Sequence, residues 1–224
     1  GVARFVHLSS IAAYGFEYPD GVDETYPVRV NGFSYTDTKV NSEAVVMTAH
    51  AAGEIACTVI RPGDVYGPGS RPWVVLPLQM IAGRQAVLPH GGRGAFTPIY
   101  IDNLVDGLVL AIASPAAAGQ VITLTDGADT TCGEYFGRLA AMLGRTVPSI
   151  PTRAAVALAG SLGAAQRRLG RPSELSAATM LMLDRPGGYS IAKARRLLGF
   201  EPLVPYAEGM VRVEEWAREE GLLG

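Results

Sequence analysis

An apolar run, a segment of helical period and a second apolar run follow one another at the start of the chain, and this succession constrains the fold most. Val2–Leu8 reads as a short strand that begins almost at residue 1 and is ended by Ser9 and Ser10. Tyr35–Ala52 places Val40, Ala44, Val45, Met47 and Thr48 near helical spacing, and Gly53 is a natural stop. Glu54–Ile60 is a mostly apolar strand of the kind that is buried on both faces. Strand, helix and strand with short connections make a parallel βαβ unit.

The remainder reads as helices and irregular segments. Residues 11–33 are loop-like, and the glycines and prolines of Arg61–Gly69 mark irregular backbone. Helices are expected over Trp73–Ala82, from a cap at Asp102 to Ala113, and over Thr131–Leu143. Further helices are expected over 152–183 with a break near Gly170–Pro172, over Ile191–Leu198 after a cap at Ser190, and over Tyr206–Glu220. Short strands are expected at Pro98–Ile101 and Gln120–Thr125. The fold class is α/β: the C-terminal part of a Rossmann-like parallel sheet domain with a smaller, mostly helical lobe. Residues 1–66 are assigned to the sheet domain, with 98–126 returning to it; 67–97 and 127–224 form the substrate-binding lobe.

Composition narrows the class. Of 224 residues, 48% are apolar and 18% charged, enough for a packed core. The formal charge of -2 gives no basic surplus for nucleic acid. The two cysteines, Cys57 and Cys132, have neither disulfide nor zinc spacing, which suits a reducing cytoplasm. They read as buried thiols. His7, His50 and His90 are scattered, so no metal site is expected. No apolar run reaches the roughly 18 residues of a membrane helix, so no membrane partner is expected.

The chemistry lies in Tyr35-Thr-Asp-Thr-Lys39. Residues at i and i+4 share a helix face. A free phenol has a pKa of about 10, too high for proton transfer near neutrality. A neighbouring ammonium and the positive ring of an oxidised nicotinamide would favour the phenolate. Tyr35 is then placed to take a proton from a substrate hydroxyl as hydride leaves the same carbon, and to return it to a carbonyl. Lys39 is placed to bond the nicotinamide ribose, and the Ser10 hydroxyl to orient the substrate oxygen. Ser10 follows a strand end, where ligands bind in open α/β sheets. Arg61-Pro62-Gly63 ends the next strand, where backbone N–H groups could meet a carboxamide.

Val6-His-Leu-Ser-Ser-Ile-Ala-Ala-Tyr-Gly15, Tyr35-x-x-x-Lys39, Arg61-Pro-Gly-Asp-Val-Tyr-Gly-Pro-Gly69, Ile99-Tyr-Ile-Asp-Asn103 and Lys193–Pro202 together resemble the extended short-chain dehydrogenases/reductases of the NAD-dependent epimerase/dehydratase group. The resemblance spans essentially the whole chain. It implies a catalytic Ser10, Tyr35 as acid/base and Lys39 as its partner. It implies cofactor contacts from Ser9, Tyr35, Lys39, Pro62, Gly63, Asp64 and Val65, with NAD or NADP as the cofactor. It also implies that the Tyr35 helix takes part in a homodimer.

Two departures bear on the substrate. Ile11 and Ala12 stand where sugar-nucleotide dehydratases of the group carry an Asp-Glu pair, and neither moves a proton. Phe96 stands where many epimerases carry an arginine for diphosphate, with Arg93 nearby as an imperfect substitute. Ile11, Ala12, Arg93 and Phe96 are therefore the candidate substrate residues. Thr97–Asn103 resembles the steroid-dehydrogenase-like and reductase branches. The expected function is an NAD(P)-dependent oxidoreductase acting on a carbonyl or alcohol. The alternatives are a nucleotide-sugar epimerase and a non-catalytic protein that kept the fold.

The group's strand, GxxGxxG turn and helix holds the pyrophosphate, and no glycine cluster here lies between a strand and a helix in that order. About three βα units, roughly 100 residues, are expected to be missing. The chain is thus expected to be an N-terminally truncated piece whose first strand presents an unpaired apolar edge and promotes association.

Overall fold

The computed structural model describes residues 1–128, 130–170 and 176–223. In chain order the elements are β1 (Arg4–Leu8), α1 (Ser34–Ala51), β2 (Ala56–Pro62), β3 (Asp64–Tyr66), α2 (Leu76–Ala82), β4 (Leu88–Pro89), β5 (Ala95–Phe96), β6 (Pro98–Tyr100), α3 (Ile101–Ala113), β7 (Val121–Leu124), β8 (Thr130–Thr131), α4 (Cys132–Met142), β9 (Ser149–Ile150), α5 (Thr152–Arg168), α6 (Ala177–Met182), α7 (Ala192–Leu198) and α8 (Tyr206–Glu219). The expected βαβ unit is present: β1 runs parallel to β2, with Arg4 opposite Ala56 and Leu8 opposite Ile60. β7 joins the other side of β2 in parallel, giving the order β1-β2-β7. Ile60, Ile122 and Leu124 are fully buried there. Each such side chain contributes about 1.5–3 kcal/mol by leaving water.

Three apolar clusters form among the described residues; the smallest joins Ile11, Tyr14, Tyr18, Val22 and Tyr189, and the other two are larger. One joins β2 and β7 to α3, with Ile60, Leu104, Leu124 and Phe200 among its members. The other lies among α2, α4, α5 and α8 and holds Leu78, Phe96, Tyr135, Leu139 and Val213. The expected division put all of 127–224 in the second lobe. Instead Ile191, Ala194, Leu198 and Phe200 pack with the first core, because α7 presents this apolar face to the sheet side.

Local details correct several expectations. Residues 61–69 are less irregular than their glycines suggest: β2 runs on to Pro62, and β3 pairs in parallel with β6. A π-helical turn, Arg71–Val75, precedes α2. Asp102 does not cap α3; Tyr100 holds that position in extended backbone, and the Asp102 carboxylate instead meets Arg212 at 3.2 Å. α7 starts at Ala192, with the Ser190 hydroxyl accepting from the Ala192 N–H at 3.3 Å. Pro172, in the expected helix break, lies outside the described residues. Thr131 and Glu134 form a reciprocal capping box at the start of α4.

Candidate active site

α1 carries Tyr35 and Lys39 on one face, with Lys39 Nζ 5.7 Å from the centre of the Tyr35 ring. Tyr35 is 58% exposed. Lys39 Nζ donates to the carbonyl of Leu8, the last residue of β1, at 2.8 Å. This bond ties the Tyr35–Lys39 face to the C-terminal end of β1. Ser10 follows two residues on. Its hydroxyl oxygen accepts from the Ala12 N–H at 3.1 Å and so caps the 3-10 turn Ile11–Tyr14. An oxygen used this way keeps its O–H free to donate.

Beneath these residues lies a buried polar network. Arg61 donates to Glu43 through Nε at 2.9 Å and Nη2 at 2.6 Å. Ser9 Oγ also donates to Glu43, so the Ser9 side chain points inward rather than towards a ligand. The Arg61 guanidinium lies 4.5 Å from the centre of the Tyr14 ring, and the Tyr14 hydroxyl meets Thr123 Oγ1 at 3.0 Å. Burial opposes the charge on Arg61, but Glu43 and Tyr14 together outweigh it and hold the guanidinium protonated. Arg61 Nη1 is buried without a partner among the described residues.

The segment Pro62–Val65 is more enclosed than its expected role suggests. Pro62, Gly63 and Asp64 are buried and only Val65 is half-buried. The Gly63 N–H donates to Leu124 O at 2.9 Å and the Asp64 N–H to Thr97 O at 2.7 Å, so neither is free for a carboxamide. A Cβ on Gly63 would stand 2.4 Å from Thr97 O, which is why glycine fits here. The Asp64 carboxylate pairs with fully buried Arg185 and accepts from Thr97 N at 2.9 Å. Burial opposes the charge on Arg185, and Asp64, Tyr189, Tyr18 and Cys132 together outweigh it.

The four candidate substrate residues are not brought together at an open surface. Ile11 and Ala12 are buried in the turn after Ser10. Phe96 is 1% exposed and stacked on Tyr135, with ring centres 3.7 Å apart, so it is core rather than rim. Arg93 is exposed on the loop after β4. A cleft of about 570 Å³ beside the α1 start is lined instead by Tyr14, Phe16, Tyr26, Phe33, Leu181 and Asp184 among others. Phe16 and Phe33 meet edge to face at 5.3 Å. Sequence reasoning missed Glu43, Arg61 and Arg185. The first had a signal, since Glu43 lies one helical turn after Lys39; Arg61 stands out only as a charge closing an apolar strand.

Comparison with known proteins gives three kinds of likeness. The family model described as NAD dependent epimerase/dehydratase family matches residues 1–124. The chain is 31% identical to a 3 beta-hydroxysteroid dehydrogenase/Delta 5-->4-isomerase of Mycobacterium tuberculosis, over 91% of this chain and 58% of that protein. It is 26% identical to a UDP-glucose 4-epimerase of Mycolicibacterium smegmatis, over 98% of this chain and 64% of that protein. Its fold is similar to that of an epimerase from Methanothermobacter thermautotrophicus, with a TM-score of 0.76 at 22% identity, over 97% of this chain and 60% of that one. The chain therefore spans about three-fifths of the length of these proteins.

Proposed function

The chain belongs to the NAD-dependent epimerase/dehydratase family, and from that premise we propose that the protein containing it is an NAD(P)-dependent oxidoreductase acting on a carbonyl or alcohol. The observation that carries this reading is the Lys39 bond to Leu8 O, which holds an exposed phenol and an ammonium together beside the turn of Ser10.

The donor set suits the nicotinamide end of such a cofactor. Lys39 spends one of its three N–H donors on Leu8 and keeps two for ribose hydroxyls. The cofactor, when bound, supplies or accepts the hydride. Tyr35 Oη moves the proton: it takes it from the substrate hydroxyl in oxidation and gives it back in reduction. Ser10 Oγ–H donates to the substrate oxygen and fixes its direction. Val65, the half-buried residue of the 62–65 segment, would face the nicotinamide when the cofactor is bound. The aromatic cleft at Phe16 and Phe33 receives the body of the substrate; its size suits a small-molecule site.

Nucleotide-sugar epimerisation is the second reading, supported by the epimerase relative at 26% identity. The experiment that separates the two uses the full-length protein. Incubation with NAD+ and a 3β-hydroxysteroid tests for net NADH formation; incubation with UDP-glucose tests for inversion without net redox change. NADH formation supports the first reading. Inversion alone replaces it with the second.

A further inference from the structure

α1 is the least buried of the helices that flank the sheet, and its hold on the sheet is polar. Of its residues only Thr36 and Glu43 are buried. The contacts that join it to β1 and β2 are directional: Lys39 Nζ to Leu8 O at 2.8 Å, Ser42 Oγ to His7 Nε2 at 2.9 Å, Glu43 to Ser9 and Arg61, and the Cys57 N–H to His50 Nδ1 at 3.3 Å. Apolar packing tolerates small rotations of a helix about its axis. A bidentate guanidinium–carboxylate pair does not, because both N–H···O bonds require one planar arrangement.

We infer that the buried Glu43–Arg61 pair positions the Tyr35–Lys39 face of α1 against the turn that carries Ser10. Arg61, the next-to-last residue of β2, touches both sides of the site. On one side its two bonds to Glu43 fix the rotation and height of α1 one turn beyond Lys39. On the other its guanidinium lies against the ring of Tyr14, the last residue of the turn that Ser10 caps. The Glu43 carboxylate also accepts from Ser9, the residue between Leu8 and Ser10. One ion pair thus sets the helix bearing the proton donor and the turn bearing the orienting hydroxyl. Both residues are at most 5% exposed, so neither reaches substrate; they act through others. This role rests on the oxidoreductase reading above.

Removing one partner alone would leave a buried unpaired charge and endanger the fold. The test is therefore the neutral double variant Glu43→Leu/Arg61→Met in the full-length protein, since apolar replacements of a buried pair commonly preserve stability. With NAD+ and a 3β-hydroxysteroid as probes, kcat is expected to fall by roughly 10- to 100-fold, the scale of a misplaced catalytic group. The cofactor KM is expected to stay within about 3-fold, as for loss of a contact made only in the transition state. An unchanged melting temperature with unchanged kcat overturns the inference, because a purely structural pair predicts that result. The crystal structure of the double variant decides the matter even where the wild type turns over neither probe, an outcome that would sink the oxidoreductase reading alone. A Lys39 still on Leu8 O, with Tyr35 unmoved, overturns positioning. A rotated α1 with that bond lost supports it.

Discussion

Lys39 reaches across from α1 to donate to the carbonyl of Leu8 at the end of β1, at 2.8 Å. That contact gives one side chain two tasks, charge beside Tyr35 and attachment of the helix to the strand. Lys39→Met removes both, and turnover by the full-length protein should fall by about 100-fold or more, the scale of lost acid–base assistance. Lys39→Arg keeps the charge but not the compact geometry of an ammonium, so it should rescue only part. Steady-state kinetics of the two variants check this; equal activity in Lys39→Met and wild type would remove Lys39 from the account.

Gly63 is held between β2 and β3, with the space for a Cβ already filled by Thr97 O at 2.4 Å. The obstacle is backbone, which cannot swing aside as a side chain can. Gly63→Ala should destabilise the protein by about 1–3 kcal/mol, the usual cost of overpacking. Denaturant unfolding measures it, and a shift of midpoint without a change of slope is expected.

Asp126 is half-buried beside Tyr100 and Asn103, and the loss of water around it pushes its carboxyl from the ordinary 3.8 to about 6. Between those values the folded protein binds a proton that the unfolded chain has released, so folding stability falls as pH rises through that window. The Asp126 contribution is fully present below about pH 4 and is lost as pH passes about 6. The stability of the wild type minus that of Asp126→Asn should therefore decline over this range. A difference that is flat or rises with pH would contradict the burial argument.

β1 is the edge of its sheet among the described residues, pairing only with β2. Phe5 and Leu8 are about half exposed on it, and Val105, Val109 and Ile112 form an exposed apolar stripe on the neighbouring α3. Open edges with apolar side chains invite pairing. The 224-residue chain alone should self-associate. Light scattering that finds a stable monomer at high concentration would refute this.

The elements that came from strong local signals are those the sequence predicts well. The apolar runs at β1 and β2 and the helical period of α1 are local patterns, and the parallel βαβ unit follows from them. β3 was hidden, because Asp64–Tyr66 is short and flanked by glycine, and its partner β6 lies far along the chain. Asp102 carries a cap-like signal, yet the distant Arg212 takes its carboxylate. Tyr35, Lys39 and Ser10 are legible as candidates because their spacing is tied to one helix and one strand end. Phe96 reads as a substrate residue because a single position cannot reveal a stacking partner such as Tyr135, which arrives from α4. The Glu43–Arg61 and Asp64–Arg185 pairs likewise join residues whose proximity exists only once the sheet and helices have packed.

The proton role of Tyr35 is the centre of the account, and the most direct measurement is NADH formation by full-length wild type and Tyr35→Phe with NAD+ and a 3β-hydroxysteroid. Tyr35 is exposed, so the substitution leaves the core untouched and the melting temperature should hold. The account predicts turnover by the wild type and a loss of at least about 100-fold in the variant. Equal rates from the two proteins would contradict it.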